Sequence, residues 1–181
     1  MKAVRTDIPD VVILEPRVFG DERGFFLESW NARDFGAAVG SDVQFVQDNH
    51  SRSKRGVLRG MHYQISQPQG KLVRVVRGRV FDVAVDLRRS SATFGRWVSV
   101  ELSEDSHRQM WIPAGFAHGF LVLSDWAEVL YKTTDYYAPQ HERCLLWNDP
   151  DVAIDWPLPG EPVLAAKDRE GLPLRRADAF P

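Results

Sequence analysis

Short runs in which apolar and polar residues alternate dominate the chain: Val11 to Phe19, Gly24 to Trp30, Val43 to Asp48, Gly56 to Gln64, Lys71 to Arg77, Arg79 to Leu87, Trp97 to Leu102, Gly119 to Leu123 and Glu128 to Tyr137. A period of two, carried by β-branched and aromatic residues, predicts strands. Lys71 to Arg77 and Val80 to Leu87, joined at Gly78, predict a hairpin with one wet and one dry face. Asn31 to Val39 predicts a helix, with Asn31 as candidate N-cap and Gly40 as stop, and Leu164 to Arg169 predicts a further short turn. No repeat and no Pro/Ser-rich linker divides the chain, so one domain is expected over residues 1–181. Many short strands with few helices predict a mainly β fold, an antiparallel sandwich or jelly roll, which often leaves a cavity between its sheets. A strand His, Lys, Arg or Tyr whose neighbours two positions away are apolar points inward and needs a partner or a ligand.

Composition narrows the classes. With 44% hydrophobic and 27% charged residues over 181 positions, the chain can supply one sizeable core. Lys+Arg total 23 and Asp+Glu 25, so the net charge is 23 − 25 = −2, which argues against a generic nucleic-acid binder. That near-balance hides an asymmetry. From Asn49 to Phe81 there are eight basic residues (Arg52, Lys54, Arg55, Arg59, Lys71, Arg74, Arg77, Arg79) and no acidic one, leaving −2 − 8 = −10 for the rest. Such a block is either a solvated face or the cationic wall of an anionic site. Cys144 is the sole cysteine, so an intramolecular disulfide is impossible and a cytoplasmic location is expected. Met1 to Asp10 lacks the apolar core of a signal peptide, and no apolar run approaches about 18 residues, so neither secretion nor membrane insertion is expected.

Two histidines sit in apolar or glycine-rich strand contexts: His62 in Gly60-Met61-His62-Tyr63-Gln64, and His118 in Pro113-Ala114-Gly115-Phe116-Ala117-His118-Gly119. The second stretch resembles the second metal motif of the cupin superfamily. The first cupin motif normally supplies two histidines one residue apart and then a glutamate; here Gln64 stands where the second histidine would be, and no Glu follows before Glu101. Two imidazoles fall short of the three or four ligands a transition metal requires, so a cupin-type barrel without metal is expected. Lys71 opens the strand after a short Pro/Gln/Gly loop, and Tyr131 shares a strand face with Val129 and Thr133. A base with a pKa near 7, a cation and a phenol are the set needed to abstract a proton beside a carbonyl, stabilise the enolate and return a proton. A lone histidine or strand tyrosine is more often a core residue; it is the combination of His62, Lys71 and Tyr131 that points to chemistry. Arg23 and Arg59 each adjoin a glycine, which suits close bidentate recognition of phosphate, with a surface ion pair as the ordinary alternative.

The stretches Val18-Phe19-Gly20-Asp21-Glu22-Arg23-Gly24-Phe25-Phe26-Leu27-Glu28-Ser29, Phe45 to Ser51, Val57 to Gln64, Gln69 to Arg74 and Trp111 to Phe120 resemble the dTDP-4-dehydrorhamnose 3,5-epimerase family, as do Leu130-Tyr131-Lys132, Tyr136-Tyr137, Glu142-Arg143, Trp147-Asn148-Asp149 and Ala166-Lys167-Asp168. The resemblance implies a metal-independent, cofactor-free cupin-type homodimer that makes L-rhamnose precursors for cell-envelope polysaccharide. Its substrate would be dTDP-4-dehydro-6-deoxy-D-glucose, acidic at C3 and C5 because both flank the C4 ketone. By the same resemblance His62 is the general base, Asp168 holds it in the required tautomer, Tyr131 is the acid on the opposite face, and Lys71 stabilises the enolate. Arg23, Glu28, Gln47, Asn49, Arg59, His118, Glu142 and Lys167 fall on nucleotide-sugar contacts, and Tyr137 on the thymine stack. The segment from about 160 to 181 would pack back near the site. Three alternatives are a single-carbon epimerase or keto isomerase on the same sugar nucleotide, a metal-dependent cupin such as a dioxygenase, and a nonenzymatic sugar-nucleotide sensor.

Overall fold

Pro16 has no N–H to give a strand partner, and the first alternating run breaks there. In the computed structural model, which describes residues 1–181, the run becomes strands β2 (Val12–Glu15) and β3 (Val18–Asp21), preceded by β1 (Lys2–Arg5) and followed by β4 (Gly24–Leu27). The central elements are β5 (Gln47–Lys54), β6 (Leu58–Gln64), β7 (Lys71–Arg77), β8 (Arg79–Asp86), β9 (Trp97–Ser103), β10 (Gln109–Ile112), β11 (Phe116–Val122), β12 (Trp126–Thr133) and β13 (Glu142–Cys144). They form a six-stranded sheet in the order β1-β2-β10-β7-β12-β5 and a five-stranded sheet in the order β13-β6-β11-β8-β9, while β3 and β4 make a separate hairpin. All strand pairings are antiparallel.

The expected hairpin between Lys71 to Arg77 and Val80 to Leu87 does not form. Strand β7 pairs with β10 and β12, and β8 pairs with β11 and β9, so Gly78 is a corner at which the chain changes sheets. One connecting residue is too short for the two-residue turn a hairpin needs. Gly78 has φ +72°, and a Cβ there would lie 1.9 Å from the Trp126 carbonyl oxygen. Nor does either strand show a clean wet face, because the sheets are covered on both sides. One core cluster, including Val73, Val75, Val129, Val80, Ala84 and Phe120, lies between the sheets; a second, including Met61, Val83, Val85, Leu121, Leu145 and Trp156, buries the far face of the five-stranded sheet beneath the C-terminal segment. All seven residues of β11 are buried, which is why its first half lacks alternation.

Helix α1 (Ala32–Val39) follows its sequence signals. The Asn31 side chain accepts bonds from the backbone of Arg33 and Asp34, and Gly40 closes the helix at φ 76°. Its one buried residue, Phe35, meets Phe45 and Trp111 edge-on and closes the outer face of the six-stranded sheet with Val12, Leu14 and Leu72. The expected turn near Leu164 to Arg169 is a single helical turn, α2 (Ala166–Arg169). The run from Val43 is not a strand until Gln47. Strands β1, β10 and β13 were not apparent in the alternation: each has only three or four residues.

Candidate active site

A cavity of about 490 Å³ opens between the two sheets. Much of its polar lining comes from five strands: Gln47 and Asn49 on β5, Arg59 and His62 on β6, Lys71 on β7, His118 on β11 and Tyr131 on β12. Tyr137, Glu142, Lys167 and Asp168 close the remaining side.

Glycines set the central geometry. A Cβ on Gly60 would lie 2.5 Å from the Gly119 Cα, and one on Gly119 would lie 2.6 Å from the Met61 sulfur and 2.7 Å from the Arg59 carbonyl oxygen. Strands β6 and β11 therefore touch backbone to backbone, the register shifts between His118 and Phe120, and His118 stands directly opposite His62. Each histidine has its own carboxylate. His62 Nε2 donates to Asp168 Oδ1 at 2.5 Å, and Asp168, on α2, is 2% exposed. That bond fixes the tautomer and leaves Nδ1 as the free ring nitrogen. His118 Nε2 donates to Asp82 Oδ1 at 2.7 Å, inside the protein; Asp82 Oδ2 is buried without a partner.

Lys71 is only 7% exposed and donates from Nζ to the His62 carbonyl oxygen at 3.1 Å. Burial brings its pKa down from 10.5 to about 8, against the opposing pull of the Asp82 and Glu142 charges. Burial raises the Tyr131 phenol above its ordinary value, although Arg59 and Lys167 draw it down, so it holds its proton at neutral pH. Glu142 is desolvated, yet Lys167 at 2.9 Å and the Tyr137 hydroxyl, which donates to it at 3.2 Å, outweigh burial and hold its pKa below the ordinary carboxylate value. Gln47 links to Asn49 through its amide nitrogen and accepts from the Tyr137 backbone. Arg59 Nε donates to Ser53 Oγ and has no carboxylate partner.

The donors a cupin metal would need are not free. His62 Nε2 and His118 Nε2 each face a carboxylate, and Gln64 spends its amide on the Gln67 and Tyr136 carbonyls and accepts from the Ala138 N–H, pinning the loop that leads to Lys71. With Gln64 in place of a second histidine and its amide already spent, and with His118 bound to Asp82 on the far side, these three side chains do not form a cupin metal triad.

Eleven of the thirteen sequence-derived site residues thus line one cavity. Arg23 and Glu28 do not. Arg23 sits at the tip of the β3–β4 hairpin, 85% exposed and paired with Asp21, and Glu28 accepts from Asn31. Of the basic block, Arg59 and Lys71 line the cavity, whereas Arg52, Arg55 and Arg79 pair with Glu128, Asp125 and Glu101. Sequence reasoning missed Ser51, Gln69 and the Val163–Ala165 stretch of the lining, and Asp82 behind His118. Asp82 had left a signal: it is an acid on the same strand face as the apolar Val80 and Ala84.

The two sheets and their carboxylate-held histidine define a cupin-like jelly roll equipped for acid–base chemistry on a small anionic substrate. A family profile described as dTDP-4-dehydrorhamnose 3,5-epimerase matches residues 5–176. The chain is 67% identical over 181 residues to the dTDP-4-dehydrorhamnose 3,5-epimerase of Pseudomonas aeruginosa, covering 100% of both. The Legionella pneumophila enzyme RmlC, solved with dTDP-4-keto-L-rhamnose, superposes with a TM-score of 0.96 at 52% identity over 98% of this chain and 94% of that one. ChmJ, a 3'-monoepimerase from Streptomyces bikiniensis, shares the fold with a TM-score of 0.89 at 36% identity over 94% and 87%. The chain belongs to the dTDP-4-dehydrorhamnose 3,5-epimerase family and is an isomerase.

Proposed function

We propose that the chain converts dTDP-4-dehydro-6-deoxy-D-glucose to dTDP-4-dehydro-L-rhamnose by inverting C3 and C5. The observation that carries the mechanism is the placement of a base and an acid on different sheets: His62 on β6 and Tyr131 on β12, both on one cavity. His62 Nδ1 removes the proton beside the C4 ketone while Asp168 stabilises the imidazolium formed. Charge that develops on the ketone oxygen is met by Lys71 and by the neighbouring His118. Tyr131 returns a proton from the other side, and the carbon is inverted. The Lys167–Glu142–Tyr137 chain and Arg59 are assigned to the nucleotide, with Tyr137 stacking on the base and Arg59 free to bind the diphosphate.

Arg23 and Glu28 are assigned to the same substrate through a second copy of the chain. Their hairpin carries Phe19, Phe25 and Phe26 exposed, the last by 70%, which favours a partner surface over solvent. In this reading the protein is a cytoplasmic homodimer without cofactor, and residues 1–181 form one epimerase domain whose C-terminal segment supplies Lys167 and Asp168. The test is turnover in deuterated water: label at both C3 and C5 is expected, label at C3 alone would mark a single-carbon epimerase, and no label in folded protein would refute the assignment. His62→Ala should lower the rate by roughly 10² to 10⁴.

A further inference from the structure

Cys144, which the proposed reaction does not use, stands beside the base. Met61 and Leu145 exchange both backbone hydrogen bonds between β6 and β13, so the adjoining pair, His62 and Cys144, is non-hydrogen-bonded and its side chains lie at the closest cross-strand spacing. The Cys144 sulfur, a His62 ring nitrogen and an Asp168 carboxylate oxygen all lie within 4.8 Å of one another.

We propose that His62 Nε2, Cys144 Sγ and Asp168 Oδ1 form an inhibitory site for a thiophilic divalent cation of the zinc type. Sulfur, imidazole and carboxylate are the donors such ions select over magnesium or calcium, and three protein ligands with one position left for water is a common zinc arrangement. Tetrahedral ligands around zinc sit about 3.4–3.6 Å apart, so the thiol, within 4.8 Å of both partners, needs at most a side-chain adjustment, and the 2.5 Å His62–Asp168 contact must open by roughly 1 Å. One thiolate and one carboxylate neutralise the ion, which suits the buried position of Asp168.

Burial pushes the Cys144 thiol pKa up to about 12, so the cation itself displaces the thiol proton, which leaves to solvent, and the proton on His62 Nε2 moves to Nδ1 as the metal takes its place. Nδ1 is the atom that must be empty to accept a proton from the sugar. The bound ion therefore blocks the base through its tautomer as well as by occupancy. Binding rests on geometry alone; inhibition rests also on the reading of His62 as the base.

The experiment loads the intact protein with Co²⁺ and, separately, measures epimerisation against Zn²⁺ in a chelator-free buffer. A sulfur-to-cobalt charge-transfer band is expected, and because Cys144 is the sole cysteine no other residue can give it. Cys144→Ser and Cys144→Ala should keep the basal rate, lose the band and require at least about tenfold more Zn²⁺ for half-inhibition. Mg²⁺ at the same concentration should leave the wild-type rate unchanged. No cobalt band in the wild type, or equal Zn²⁺ sensitivity in both cysteine variants, overturns the site. A band without inhibition keeps the site and overturns the assignment of Nδ1 as the base.

Discussion

Lys71 keeps its charge against the preference of its surroundings. In an unfolded chain it is protonated up to about pH 10.5, and in the folded protein only up to about 8, because burial disfavours the ammonium more than Asp82 and Glu142 favour it. Below pH 8 both states are charged and folding bears the full penalty, roughly 3 kcal/mol; between pH 8 and 10.5 stability rises with pH as the penalty is relieved. Lys71→Met should therefore be more stable than wild type at pH 7 by about 2–3 kcal/mol in urea unfolding while losing activity. A less stable variant would refute the burial argument. The same loss of charge should bring the wild-type rate down as pH passes about 8. Tyr131 separates two halves of the reaction. Tyr131→Phe keeps the base, so solvent deuterium should still enter next to the ketone while inverted product falls by about 10² or more; undiminished inversion would remove Tyr131 from its role.

At the scale of elements, the glycines where β6 and β11 meet decide whether the two histidines can stand side by side. A methyl on Gly119 meets the flexible Met61 side chain, which can move, and the Arg59 carbonyl oxygen, which cannot without displacing β6. Gly119→Ala should lower stability by about 1–3 kcal/mol, read from the thermal midpoint, and lower the rate beyond what the unfolded fraction explains. Most strands could be located from alternation alone, and α1 from its cap and stop. The exceptions have physical causes: Pro16 cuts one run, burial on both faces erases the period in β11, and Gly78 turns a presumed hairpin into a corner between sheets. Local pattern reports which face is apolar; it carries no information about which strand will be the neighbour.

For the whole molecule, the question is how the β3–β4 hairpin is used. If its Arg23 serves the cavity of a second copy, Arg23→Ala should raise KM for the sugar nucleotide with little change in kcat. At substrate well below the raised KM, mixing Arg23→Ala chains with His62→Ala chains should give more activity than the two preparations summed, because some mixed dimers hold one site with both residues intact. No recovery after subunit exchange, shown by native mass measurement, would confine each site to one chain.

The sequence by itself determined the class of fold, the helix ends, and the residue types for acid–base chemistry on an anionic sugar, since these depend on period, capping chemistry and motif. Resemblance added Asp168 and its pairing with His62, across 106 positions that no periodicity connects. Only the tertiary structure decided that Asp168 reaches His62 through Nε2, that Asp82 backs His118, that Cys144 adjoins the dyad, and that Arg23 lies outside its own chain's cavity. Each of these is a contact between strands or segments far apart in the chain, fixed by sheet order and register rather than by any local preference.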